Sequence, residues 1–425
     1  MRATRFLWTA ALLGSCFLSS APAARAQESG TQALQVVVDR RLRDSRADLI
    51  ELRRDLHRHP ELSGREERTA RVVSGRLEAL GLEVRTGVGG HGVAALLRGG
   101  FPGPVVAFRA DMDAVAFEAP DPVEFASTVN GVRHACGHDI HTTVGLALAE
   151  GLAAVRSQLA GSILFIFQPA EENATGARAM LDDGIFIDGR PDAIFAYHTA
   201  PLEVGQVGTK SGSLLPQRDR FEVTLRGAGD LSRSADRAVS TILAQSSAAR
   251  GATSVVGDFA IAQVWESGPV DRIDAWVIYG SVTTTGPHVS EQVQEAIREG
   301  LEELRTSGLD YRLEYETRFV AGVMNDPGLE VASRKSLRSV LGNTRVVVLE
   351  SVPTQFSEDF GSFQEQVPGV MYYLGVSNSE KGWVGLPHSP GYVADEGSIE
   401  IGARAMAAVI LDFLHSSHSL QGRVP

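Results

Sequence analysis

Cysteine is nearly absent from this sequence. The 425 residues hold two, Cys16 and Cys136. Cys16 sits in an N-terminal segment that is either cut away or lipidated, so no internal disulfide framework is available and Cys136 stands alone in the folded chain. An excess of positive charge is missing too. The formal net charge is -12 and the pI about 5.4, which argues against the basic face that nucleic acid requires. No apolar run is long enough to span a bilayer. There are no internal repeats and no low-complexity linker. What remains, 43% hydrophobic residues and 44 glycines, suits a globular α/β chain of about two to three domains.

The N-terminus reads as an export signal. Arg2 and Arg5 precede an apolar run from Phe6 to Leu18, and Ala24-Arg25-Ala26 supplies small residues at a cleavage point before Gln27. Residues 1–26 are therefore set apart as a signal peptide, and the mature protein is expected to be periplasmic or secreted. Leu13-Gly14-Ser15-Cys16 resembles a bacterial lipobox. Cleavage there would leave a lipoprotein anchored through Cys16.

The centre of the chain is His134-Ala135-Cys136-Gly137-His138-Asp139-Ile140-His141. Thiolate and imidazole in this density suit a borderline metal such as zinc. An apolar run, Val144 to Ala149, follows and predicts a loop entering a helix, whose positive end favours a thiolate. An unpaired thiol in an oxidising compartment is also accounted for by a metal. The ordinary alternative is a buried Cys with His residues on a solvated turn.

Around this centre the pattern is α/β. Leu34, Val37, Val38, Leu42, Leu49, Leu52 and Leu56 predict a helix over 31–59, ended by Pro60. A second helix spans about 66–80 and stops at Gly81. Strands over 92–97 and 104–108 follow, the second delivering Arg109-Ala110-Asp111-Met112-Asp113. The apolar run 162–167 reads as a strand buried on both faces and ends in Gln168-Pro169-Ala170-Glu171-Glu172. Another strand, 192–196, ends in Tyr197-His198. Taken singly, the paired acids fit a solvated loop and His198 a structural residue. Three consecutive strand–loop units ending in Cys/His, Glu and His point instead to one convergent site at carboxyl ends of strands.

From Gln217 the pattern alternates. A strand at 221–225, a helix at 234–249, strands at 259–265 and 275–282, a helix at 290–304 and a strand at 311–317 give a βαββαβ order. That predicts a separate α+β unit, 217–321, inserted into a domain formed by 27–216 and 322–425. The α/β pattern then resumes through Glu358-Asp359-Phe360 and Pro387-His388 to a last helix over 396–415.

The ordered motifs Arg109 to Ala114, His134 to His141, Gln168 to Glu172, Tyr197-His198, Ser357 to Phe360 and Pro387-His388 resemble the amidohydrolase branch of the aminoacylase/carboxypeptidase-G metallopeptidase family. That family includes hippurate hydrolases, N-acyl-amino-acid deacylases and auxin-conjugate hydrolases. The resemblance spans the mature chain and is weak in the inserted part. It implies a mixed-sheet catalytic domain with a ferredoxin-like lid and dimerisation domain, and a homodimer. It implies two divalent metal ions, zinc or manganese, held by Cys136, His138, Glu172, His198 and His388, with Glu171 as general base and Asp113 orienting a ligand. Asp111, His134, Asp139 and His141 become supporting residues. The substrate class implied is a small amide such as an N-acyl amino acid, cut by a metal-bridged water.

Two departures stand out. The family carries a His in a Gly-rich turn of the lid. Here the turn reads Gly227-Ala228-Gly229-Asp230-Leu231-Ser232-Arg233, with Leu231 at the His position. A later Asn-containing segment reads Gly268-Pro269-Val270-Asp271-Arg272-Ile273 and keeps no Asn. Arg233 or Arg272 are the candidates to replace the lost anion contact. Two readings therefore go forward: a secreted metal-dependent amidohydrolase, and a metal-binding relative whose altered lid leaves it catalytically weak.

Overall fold

The computed structural model describes residues 21–421, apart from 188, 228–229, 249–250, 271–273 and 306–307, and side chains from 30 to 416. The apolar run of the leader and Cys16 lie outside the described residues. So do Asp271, Arg272 and Ile273. Among the described residues no helix is long and apolar enough to cross a membrane.

An eight-stranded mixed sheet carries the site. Its order is 83–88, 92–98, 160–168, 101–111, 193–203, 369–377, 207–209, 346–348. The central four strands, Ala160–Gln168, Phe101–Asp111, Ala193–Glu203 and Gly369–Ser377, are mutually parallel. Burial on both faces explains their continuous apolar character. Ile163, Phe165 and Phe167 pack into one core with the helices Ala21–Arg58, His138–Ala153 and Gly397–Gln421. Leu164 and Ile166 point the other way, into a second core with Met180, Phe360 and Phe363. Because strand side chains alternate, one strand feeds both layers.

A second sheet lies within 217–320. Its four antiparallel strands run in the order 260–269, 275–284, 217–227, 309–320. In chain order that is second, third, first, fourth, the arrangement of a ferredoxin-like βαββαβ unit. The helices Leu231–Leu243 and Pro287–Arg305 cover one face and share a core of their own with Phe221, Val223, Leu225 and Ile278. The first of these helices is shorter than its periodicity suggests, ending at Leu243 rather than 249. Ser246 and Ser247 leave the helix because their hydroxyls accept from Ala262 N and Ala260 N of the edge strand.

Candidate metal centre

The loop after Phe101–Asp111 brings Cys136 to the carboxyl end of the parallel strands. Gly137 turns it, with φ 97, and His138 opens the helix His138–Ala153. A Cβ at Gly137 would fall inside contact distance of Tyr392 Oη and the Thr199 side chain, so glycine is required both for the backbone and for space. Cys136 Sγ lies 3.4 Å from His198 Nε2, and His198 Nδ1 is fixed by Thr199 O at 2.8 Å.

The paired acids reach the same place through a turn. An extended backbone would send Glu171 and Glu172 in opposite directions. Instead Ala170 and Ala174 take φ 54 and 58, and Ala174 N donates to Glu171 O at 2.7 Å. Glu171 Oε2 then lies 3.7 Å from His138 Nε2 and Glu172 Oε1 3.6 Å from it. His388, itself at φ 58, places Nε2 3.2 Å from Glu172 Oε1. Its backbone N–H donates to Ala135 O at 2.9 Å, tying two distant segments together.

Asp113 stands behind these groups. It accepts from His138 Nδ1 at 3.1 Å, from Glu172 N at 3.0 Å and from Ser63 Oγ at 2.6 Å. His138 Nε2 is thereby left facing the site, buried and without a hydrogen-bond partner. His141 is engaged at both nitrogens, with Nδ1 at 2.6 Å from Asp111 and Nε2 accepting from Thr199 N at 2.7 Å. Asp139 holds Arg53 at 2.8 Å and His57 at 2.7 Å. His134 is buried and kept neutral, burial lowering its pKa to about 4.

Five donors thus fall into two overlapping groups, Cys136 with His138 and His198, and Cys136 with Glu172 and His388; within each, the ligand atoms lie within 4.8 Å of one another. The mix of thiol, imidazole and carboxylate suits a borderline divalent ion. Electrostatics agree. Burial and then the charges of Glu358, Glu172 and Asp359 hold the Glu171 carboxyl well above the usual range. Burial, then Glu172 and Glu171, push the Cys136 thiol up as well. Burial, followed by His141, lowers His198 to about 3, so its imidazole is neutral. A cluster this rich in buried acid draws cations, and a divalent ion meets that need.

Residues 107–412 match the model of peptidase family M20/M25/M40. The chain belongs to that family. It is accordingly a hydrolase of carbon–nitrogen bonds. It is 33% identical over 386 residues to N-acetylcysteine deacetylase of Bacillus subtilis (strain 168), covering 86% of this chain and 97% of the relative. It is 30% identical over 388 residues to IAA-amino acid hydrolase ILR1-like 6 of Arabidopsis thaliana, covering 88% and 82%. Among solved structures, the Bacillus subtilis YXEP protein, described as a dinuclear metal binding peptidase from the M20 family, superposes with a TM-score of 0.76. It is 29% identical, over 88% of this chain and 99% of that one.

Several residues of this M20 site escape sequence reasoning. Arg109 is fully buried and binds Asp111 at 2.6 Å, Gln168 at 2.8 Å and Glu358 at 2.7 Å. Burial alone would lower it, but Glu358, Asp111 and Asp359 raise it, so it stays charged beneath the acids. Glu358 approaches Asp111 and Glu171. Each lies inside a motif, yet nothing in its position along the chain announced an ion pair. Leu231, at the place of the lid His, packs against the core of the inserted sheet. Arg233, two residues on, is exposed and its backbone N–H donates to the helix-capping Asp230 at 3.1 Å.

Proposed function

We propose that this chain is an exported metal-dependent amidohydrolase that cleaves the amide of an N-acyl amino acid or a similar small conjugate. The observation that carries the reading is the convergence of Glu171 and Glu172 on His138 Nε2, beside Cys136, His198 and His388. Cys136, His138, His198, Glu172 and His388 would hold two divalent ions, zinc or manganese. Ions bound there supply an acidified water and a polarised scissile carbonyl. Glu171 acts as the general base, taking the proton of the attacking water and returning it to the leaving amine. Burial first, and then the surrounding acids, raise its proton affinity, which suits that return. Asp113 fixes the His138 tautomer by accepting from Nδ1, leaving Nε2 free for a ligand bond. Arg109 offsets the buried charge of Asp111 and Glu358, so the carboxylates keep their places.

We assign 27–216 and 322–425 to the catalytic domain and 217–321 to a lid that pairs with its copy in a homodimer. The edge strands of the inserted sheet, 260–269 and 309–320, support that pairing. Residues 1–26 are assigned to export, giving a periplasmic or secreted protein; a lipid anchor at Cys16 is the alternative.

A second reading rests on Leu231. Without the lid His the protein would bind a metal and a ligand but turn over slowly. The deciding experiment is a hydrolysis screen of zinc- and manganese-loaded protein against N-acyl amino acids, dipeptides and aryl amides, with Glu171→Gln as control. Turnover that the control lacks supports the hydrolase. Tight metal binding with no turnover on any substrate supports the second reading.

A further inference from the structure

Glu66 is fully buried, and among the described residues it forms no ion pair. It stands at the N-terminal boundary of the helix Glu67–Ala79, where an acid ordinarily caps the first turn, but its side chain makes no capping bond. The carboxylate crosses to another part of the chain instead. Oε1 accepts from Ala170 N at 2.8 Å, across 104 positions of sequence, and from Gly64 N at 2.8 Å. Oε2 has no partner. A buried carboxylate with one free oxygen is costly to keep, so its retained bond to Ala170 calls for a use.

Ala170 is the fixed point of the turn that presents the paired acids. Its left-handed backbone, φ 54, is unfavourable for any residue with a Cβ. Its carbonyl accepts from Thr175 N at 3.2 Å and Gly176 N at 3.0 Å, closing the turn. Its N–H is held by Glu66 alone. Three bonds therefore pin Ala170, and the next two residues are Glu171 and Glu172. The same loop sends Ser63 Oγ to Asp113, which holds Glu172 N and His138.

We propose that Glu66 is a positioning residue for the reaction: by holding the Ala170 N–H it fixes the turn from which Glu171 projects toward the attacking water. This rests on the reading of Glu171 as general base. The requirement is an accepting oxygen at the right reach, and the charge of the carboxylate is incidental. General-base catalysis depends on such placement, because small misplacements of the base cost rate without costing binding.

Three variants separate reach from charge. Glu66→Gln keeps the accepting oxygen and removes the charge, Glu66→Asp keeps the charge and shortens the reach, and Glu66→Ala removes both. Two readouts apply. The first is kcat and KM per bound metal in zinc- or manganese-loaded protein, on the N-acyl amino acid turned over fastest. The second is amide hydrogen exchange of residues 169–176 in metal-free protein. Glu66→Gln should stay within about threefold of the parent kcat, while Glu66→Asp and Glu66→Ala lose on the order of tenfold or more at unchanged KM and bound metal. Both losing variants should exchange faster at 169–176, and Glu66→Gln should not. Parent kcat in Glu66→Asp, a loss in Glu66→Gln as deep as in Glu66→Asp, or losses accounted for wholly by missing metal would overturn the proposal. If Glu66→Ala does not fold, the contrast between Asp and Gln decides alone. The underlying reading fails by a different result: Glu171→Gln with parent turnover, or no turnover of any substrate by the parent protein, defeats the base assignment and this inference with it.

Discussion

At the scale of single residues, the chemistry of this site is divided between neighbours. Glu171 and Glu172 are adjacent, yet only Glu172 pairs with His388, at 3.2 Å, while Glu171 faces Glu358 and Asp111. Glu171→Gln keeps shape and should keep its metal while losing on the order of a hundredfold in turnover, the usual worth of general acid–base catalysis. Glu172→Gln should lose metal affinity first, and excess metal should restore part of its activity. Elemental analysis and turnover on both proteins separate the roles; metal loss in Glu171→Gln would reverse the assignment. Cys136 belongs to both donor groups, so Cys136→Ala should lower bound metal and activity together. Unchanged metal content would remove it from the ligand set. The donor types were readable in the sequence because soft and borderline ligands are rare and clustered there. Roles in pairing were not. The resemblance set His141 among the supporting residues, but its partners, Asp111 at one nitrogen and Thr199 N at the other, appear only in the structure.

At the scale of elements, the site is built where strands end and turns with unusual backbone begin. The parallel strands were readable because an unbroken apolar run means burial on both faces, as Ile163 to Phe167 bear out. The adjacency of the two acids called for a turn, but the backbone of that turn at 169–176 was not readable. Its left-handed positions, Ala170 and Ala174, are alanines, and only Gly or Asn would have marked them. Glu66 was readable only as the start of a helix at about 66–80, since nothing local shows that its side chain crosses to Ala170. Gly137 is the opposite case, where residue type and geometry agree. Gly137→Ala adds a Cβ at φ 97 against Tyr392 Oη and Thr199. It should destabilise the metal-free protein by at least about 2 kcal/mol and weaken metal binding. Denaturant unfolding of the two metal-free proteins measures the first effect, and equal midpoints would show that the loop relaxes around the methyl group.

At the scale of the whole molecule, the chain joins a large mixed sheet that carries the metal-type residues to a four-stranded sheet with its own core. The switch from continuous to alternating apolar pattern near Gln217 made the second sheet readable. What it does for the first is not written in its pattern, because solvated faces and partner faces share the same alternation. If the inserted sheet pairs edge to edge with a copy, sedimentation at micromolar concentration should give a dimer, and charged substitutions on the outer edge of 309–320 should give monomers. A monomeric parent protein would contradict the pairing.

The central claim is that hydrolysis here depends on ions held by Cys136, His138, His198, Glu172 and His388. The direct measurement is turnover of an N-acyl amino acid during stepwise return of zinc or manganese to chelator-stripped protein. Turnover should be absent in the stripped protein and should saturate near about two ions per chain, the stoichiometry of a two-metal site. Full turnover by stripped protein, or metal uptake that never restores it, would contradict the account.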